Sequence, residues 1–134
     1  KPLPIVETDD PVDRISEDLL DIVPSNLRKP YDIRKVIETV SDKGSVFDIK
    51  PTYAANIVTS FARLDGRPVG FIANQPMRMA GMLDAKACEK SAHFIALCDA
   101  YGLPLIFLVD GSRLCDRLRR GEIRPRAAKR PRVL

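Results

Sequence analysis

The sequence has no tryptophan, one histidine and only three cysteines among its 134 residues. Cys88, Cys98 and Cys115 stand at no metal-ligand spacing, and with His93 as the lone histidine the sequence argues against a Cys/His zinc site. An odd number of cysteines without framework spacing argues against a disulfide scaffold and for a reducing compartment. Long apolar runs are missing too, so nothing approaches the roughly 20 residues that span a bilayer. No basic-then-apolar leader is visible, and Lys1-Pro2-Leu3-Pro4 stands where an initiator Met would be. The expectation is a start that was trimmed or that lies inside a longer protein.

The composition that remains is that of an ordinary globular protein, 45% apolar and 30% charged, with length enough for one core. The net charge of +4 is unevenly spread. Residues 111–134 carry eight Arg and one Lys against Asp116 and Glu122, a balance of +7, which leaves −3 for residues 1–110. The basic character therefore belongs to the tail.

Along the chain, residues 1–30 are rich in proline and acid and read as a linker draped over something, with one short helix at Ser16 to Ile22 and a turn at Pro24-Ser25-Asn26. Ile33, Val36, Ile37 and Val40 recur at helical spacing, and Gly44 is expected to stop that helix. Val46, Phe47 and Ile49 make a short extended piece, closed by Pro51. Ile57 to Leu64 is β-rich, and Asp65-Gly66 suits a type I′ turn, whose two central residues need positive φ. The hairpin's second strand runs from Arg67 to Ala73. Asp84 is a good N-cap for a helix reaching about Tyr101, with Gly102 just past its end. Along it Cys88, Ala92, Ile95 and Cys98 or Asp99 follow helical spacing. Leu103 to Val109 is an apolar strand of the kind buried on both faces in a parallel sheet. Strand, helix and strand from Val69 to Val109 thus form one βαβ unit, and the fold class is α/β. After Asp110, Leu114 and Leu118 support at most a short helix, and Arg119 to Arg132 is expected to be poorly ordered.

The residues then fall into a known order. Lys29-Pro-Tyr-Asp-Ile-Arg-Lys-Val-Ile37, Asn56-Ile-Val58, Phe61-Ala-Arg-Leu-Asp-Gly-Arg-Pro-Val-Gly70 and Ala73-Asn-Gln-Pro-Met77 lead it. Ala80-Gly81, Leu83-Asp84, Ala87, Glu89-Lys90, Phe94-Ile95, Cys98-Asp99-Ala100 and Pro104 to Asp110 follow. Together they resemble the C-terminal half of the carboxyltransferase (beta) subunit of biotin-dependent acyl-CoA carboxylases of the acetyl-/propionyl-CoA type. The resemblance implies an incomplete crotonase-like spiral of ββα units. Residues 1–28 would be an acidic, Pro-rich connector, 29–110 a partial C-terminal carboxyltransferase domain, and 111–134 a basic tail foreign to the fold. It also implies the reaction of the parent enzyme: a carboxyl group moves from biotin N1′ to the carbon α to a thioester, with backbone N–H groups stabilising the oxyanions. Biotin would sit on a partner, the biotin carboxyl carrier protein, with no cofactor bound by this chain. Acyl-CoA, further carboxylase subunits or copies of the same chain are the implied partners, and the cytoplasm, or the mitochondrial matrix in a eukaryote, is the implied location.

Two departures limit what is expected of this chain alone. Gly111-Ser-Arg-Leu-Cys115 stands where the family has a Val-Pro-Gly-Phe type of loop, and no Gly-Gly-Ala segment follows. A truncated or frame-shifted reading is the expectation, inactive by itself and without a catalytic or metal-ligating residue. The candidates for substrate contact are Asn74, Gln75, Ala80, Gly81 and Asp110. Asn74-Gln75-Pro76 ends a strand on the open side of the sheet, where α/β folds bind ligands, though Asn74 could equally cap a turn. Ala80-Gly81 would let a ligand approach the backbone, or only shape a tight loop. Asp110 ends a buried strand and could contact ligand or cap the next turn. His93 has no partner at useful spacing, and Glu89 and Lys90 read as solvated. Two other readings stay open: a non-catalytic module that binds full-length carboxylase subunits, and a nucleic-acid binder using the Arg-rich tail, disfavoured because no aromatic is there to stack on bases.

Overall fold

The computed structural model describes residues 2–26 and 28–110. The short helix, Leu114 and Leu118, the Arg-rich tail and Cys115 all fall at 111–134, outside the described residues.

The elements run α1 (Asp18–Ile22), α2 (Ile33–Val40), β1 (Phe47–Asp48), β2 (Ile57–Leu64), β3 (Arg67–Asn74), a 3₁₀ turn (Met79–Gly81), α3 (Ala85–Tyr101) and β4 (Leu105–Leu108). The four strands form one sheet in the order β1-β2-β3-β4. The first three pair antiparallel, and β4 joins β3 in parallel, with Gly70 opposite Leu105 and Ala73 opposite Leu108. The hairpin forms at Asp65-Gly66, whose φ angles of 51° and 71° are those a type I′ turn demands. Asp42 holds this turn by accepting the Asp65 and Gly66 N–H groups at 3.0 and 2.7 Å.

The strand alternation splits the core in two. Val58, Ala62, Val69, Phe71 and Ala73 face α2, where Ile33 and Ile37 cover them. Ile57 and Ile72 point the other way, toward Ala87, Phe94 and Cys98 of α3. Gly70 makes that second contact possible: a Cβ there would lie 2.8 Å from Cys98 Sγ and 3.2 Å from the Phe94 ring. Phe61 and Phe94 then meet with ring centroids 5.1 Å apart, within the range of favourable aromatic pairs. Asp84 caps α3 by accepting the Ala87 N–H at 2.9 Å, and Gly102 ends the helix in the left-handed conformation at φ 65°. That bond, followed by one from the Asn56 amide, holds the Asp84 carboxyl below the usual range.

Five expectations need correction. Helix α2 ends at Val40, ahead of Gly44, because Ser41 turns extended and Arg14 Nη2 takes the end carbonyls of Thr39 and Ser41 at 3.0 and 3.2 Å. The linker is draped over parts of this chain itself: Val6 donates its N–H to Gly66 O at 3.0 Å, and Asp10 accepts the Lys43 N–H. Strand β4 is parallel but is the sheet's edge, so Phe107 is 54% exposed instead of buried. The buried face of α3 is Ala87, Lys90, Phe94 and Cys98, while Cys88, Ala92 and Ile95 lie on its uncovered side. Lys90 is buried, not solvated: its Nζ donates to the carbonyls of Tyr53 at 2.8 Å and Ile57 at 2.9 Å, which close the 50–57 turns.

Candidate functional site

Strands β3 and β4 run parallel, so their C-terminal ends lie side by side, the usual ligand-binding edge of an α/β sheet. Asn74 stands at the end of β3 and ties three segments together. Its Nδ2 donates to Asp110 O at 2.8 Å and to Gly81 O at 3.2 Å, and its Oδ1 accepts the Asp110 N–H at 2.8 Å. One amide thus fixes the exit of β4 against the turn that leads into α3.

That turn is unusual. Met79, Ala80 and Gly81 have φ of 48°, 52° and 78°, three successive residues in a region that L side chains avoid. Left-handed non-glycine residues cost of order 1–3 kcal/mol each and persist where the surroundings over-determine them. Here Asn74 holds Gly81 O, and the Gly81 and Met82 N–H groups donate to Arg78 O and Met79 O. A Cβ on Gly81 would come within 2.7 Å of Asn74 Nδ2, so position 81 accepts no side chain without breaking it.

Asn74, Ala80, Gly81 and Asp110 form one polar end of a cavity of about 580 Å³ whose remaining walls are mainly apolar, among them Ile57, Ile72 and Phe107. Tyr31, at the entry to α2, bonds the Asp110 side chain. Burial first, then the charge of Asp110 and this bond, push the Tyr31 phenol up to about 12. Gln75 goes elsewhere. It is 3% exposed, its Oε1 accepts the Ile33 N–H at 3.2 Å, and its Nε2 donates to Asp32 Oδ1 at 2.7 Å. Four of the five sequence candidates are therefore brought together, and the fifth joins α2 to the sheet. Tyr31 and Asn56 stand in the quoted motifs but are not among the site candidates the sequence offers; Asn56 donates to Met82 O and Asp84 Oδ1, fixing the chain between the turn and α3. No side-chain pattern announces either, since their partners lie far along the chain.

His93 is exposed on α3 and faces no part of this cavity. Among the described residues no group of three or more His, Cys, Asp or Glu could hold a metal ion. Cys88 and Cys98 are free thiols, and burial raises the pKa of Cys98. No described helix is long and apolar enough to cross a membrane.

The unit is mixed α/β, with a parallel strand pair, a crossover helix and a glycine-bearing turn at the strand ends, as the resemblance implies for a crotonase-like fold. The carboxyl transferase domain family matches residues 1–112, and the chain belongs to that family. It is 47% identical over 107 residues to methylmalonyl-CoA decarboxylase subunit alpha of Veillonella parvula, covering 80% of this chain and 21% of that protein. It is 48% identical over 107 residues to the propionyl-CoA carboxylase carboxyltransferase subunit of Haloferax mediterranei, with the same coverage of 80% and 21%. Among solved structures it is similar to the hexameric transcarboxylase 12S with hydrolysed methylmalonyl-coenzyme A bound, at a TM-score of 0.76 and 44% identity over 80% of this chain and 21% of that one. The chain thus spans about a fifth of the length of the curated relatives it matches.

Proposed function

We propose that residues 29–110 form part of the carboxyltransferase unit of a biotin-dependent acyl-CoA carboxylase, and that residues 1–28 serve as the connector to its other half. The reaction would break the bond between biotin N1′ and the carboxyl carbon, form a bond from that carbon to the α carbon of an acyl-CoA, and leave the α proton on N1′. The observation that carries this reading is the Asn74 clamp, which holds Gly81 and Asp110 at the polar end of an apolar cavity.

Biotin, when bound, supplies the activated carboxyl group. The residues present suit a wall around such a group: flat apolar sides, a carboxylate at one end and a backbone turn open to close approach. As the family resemblance implies, biotin would be presented from a partner carrier. Apolar walls exclude water, which strengthens any backbone N–H directed at a developing oxyanion. Asn74 and Tyr31 would act by position, Asn74 on the two backbone segments and Tyr31 on the Asp110 carboxylate. Gln75 would act through α2. The free thiols support a reducing compartment such as the cytoplasm or a mitochondrial matrix.

The test is to exchange the matching segment of the transcarboxylase 12S subunit for residues 1–110 of this chain and measure carboxyl transfer from methylmalonyl-CoA. Transfer within tenfold of the parent is expected, and Gly81→Val in the exchanged segment should lower kcat about 100-fold, the scale of an ångström-sized misplacement. A hexamer that assembles normally yet transfers nothing, or a Gly81→Val variant with full kcat, would refute the assignment.

A further inference from the structure

Lys90 is the charged member of the buried face of α3, beside Ala87, Phe94 and Cys98, and it is 2% exposed. A buried ammonium is a costly way to fill a core. What it adds over an apolar chain is direction, because its N–H donors fix where their acceptors lie. All of its acceptors lie in one stretch, residues 50–57: Tyr53 O at 2.8 Å, Ala54 O at 3.5 Å and Ile57 O at 2.9 Å. That stretch is strained, with φ of 51° at Lys50 and 45° at Ala54, neither of them glycine. Two of the carbonyls belong to Ala54 and the residue before it, so the ammonium grips the backbone where strain sits.

What this stretch carries leads back to the cavity. Asn56 stands between Ala54 and Ile57 in the chain and is buried; its Nδ2 donates to Met82 O at 3.0 Å, and its own O accepts the Gln75 N–H at 2.9 Å. Ile57 opens β2 directly opposite Asn74 and lines the 580 Å³ cavity. Asn74 in turn donates to Gly81 O at 3.2 Å. Two asparagine amides therefore hold two successive carbonyls, those of Gly81 and Met82, where the left-handed turn ends. Lys90 gathers the stretch of chain that bears one asparagine and pairs with the other.

We propose that Lys90 is a positioning residue for this site: it fixes Asn56 and the start of β2, and through them the Met79–Gly81 turn at the polar end of the cavity. Lys90 does not itself line the cavity, so its effect passes through the backbone and Asn56. Its bearing on turnover rests on the carboxyltransferase reading, whereas the link from Lys90 to the turn rests on the hydrogen bonds alone.

The test is amide exchange in the whole chain for the Lys90→Met, Asn56→Ala and double variants, followed from zero to moderate urea. Local openings expose little surface and respond weakly to urea, whereas global unfolding responds strongly. With Lys90→Met, the Gly81 and Met82 amides, which donate to Arg78 O and Met79 O, should exchange about tenfold faster through an opening insensitive to urea. Phe71 and Ile72 in the middle of β3 should change only as far as global stability does. Asn56→Ala should speed the same two amides, and the double variant should add little to the larger single effect, as members of one network do. Lys90→Gln, which keeps N–H donors on a shorter stem, takes the place of the Met variant if that fails to fold, with the same amides as the readout. In the 12S subunit carrying residues 1–110, Lys90→Met should lower kcat about tenfold with KM for methylmalonyl-CoA little changed, the mark of lost geometry rather than lost binding. Gly81 and Met82 amides that speed up only in step with Phe71 and Ile72 would overturn the proposal, as would single-variant effects that multiply in the double. Full kcat for Lys90→Met in a 12S hybrid that is active with Lys90 overturns it too. A hybrid inactive even with Lys90 counts against the carboxyltransferase reading instead, and the amide exchange then decides the role of Lys90.

Discussion

Replacing Lys90 by Met should destabilise the chain, and the size of the effect should depend on pH in a definite direction. The ammonium is buried and ties together the carbonyls of Tyr53, Ala54 and Ile57 at 2.8, 3.5 and 2.9 Å. Two of these bonds are short, and a buried carbonyl left without its donor costs about 1–3 kcal/mol. Against that, burying the cation is itself costly, by several kcal/mol before its hydrogen bonds are counted. Met restores the volume and removes the charge, so the two effects partly cancel. The net expectation is a loss of about 1–3 kcal/mol at pH 7, the cost of buried carbonyls left without their donor. With a urea m-value of about 1–2 kcal/mol per molar, the midpoint of urea unfolding should fall by roughly 1 M.

The pH dependence follows from the direction of the shift. Burial above all, then the neighbouring Arg34, lowers the Lys90 pKa from 10.5 to about 8, with Asp48 working the other way. Between those values the unfolded chain holds the proton that the folded chain has released, so the Lys90 contribution to stability rises with pH there. Below about 8 both states are charged and the desolvation cost is fully present. The Met variant lacks this titration, so its deficit relative to the parent should widen as pH climbs from 8 to 10. Urea unfolding followed at 222 nm at pH 7, 8, 9 and 10 reads both quantities. A Met variant as stable as the parent at pH 7, or a deficit that stays flat or shrinks as pH rises, would refute the reasoning.

The other predictions concern the hairpin turn and the Tyr31 pair. Gly66→Ala adds a Cβ 1.9 Å from Val6 O at a φ of +71°, so it should cost about 1–2 kcal/mol for the left-handed backbone alone and release the N-terminal segment. Faster exchange of the Val6 amide is the sign to look for, and an unchanged rate would mean that the segment is held by other contacts. Asp110→Asn should lower the Tyr31 midpoint from about 12 but not to 10.0, because burial is the larger cause and the charge the smaller. Absorbance at 295 nm, with Tyr31→Phe to identify the signal, measures it, and a midpoint that does not move would dissolve the pair. Because the folded state keeps a proton that the unfolded chain gives up above pH 10, the Tyr31 contribution to stability should be lost between pH 10 and about 12.

The features legible in the sequence are those whose physics is local. Asp65-Gly66 forms its turn because two adjacent residues tolerate positive φ, and Asp84 caps α3 through an amide three positions away. The parallel pairing of β3 and β4 was readable because a strand, a helix of the right length and an apolar strand have few ways to pack. Distant hydrogen bonds leave no such mark. Lys90 meets carbonyls 33 to 37 positions back, and adjacency to Glu89 on a helix says nothing of that. Asn74 and Gln75 are neighbours in the chain, yet alternation sends them to opposite faces of the sheet, one to Asp110 36 positions on and the other to Ile33 42 positions back. Both were candidates because they end a strand at the open side of the sheet, whereas the side of the sheet decides which one reaches the cavity. The same logic explains the error over β4. An apolar strand is built for burial on both faces, and its composition does not record whether the covering layer belongs to the same segment of chain. Phe107 and Val109 carry the composition of a core and the exposure of a surface.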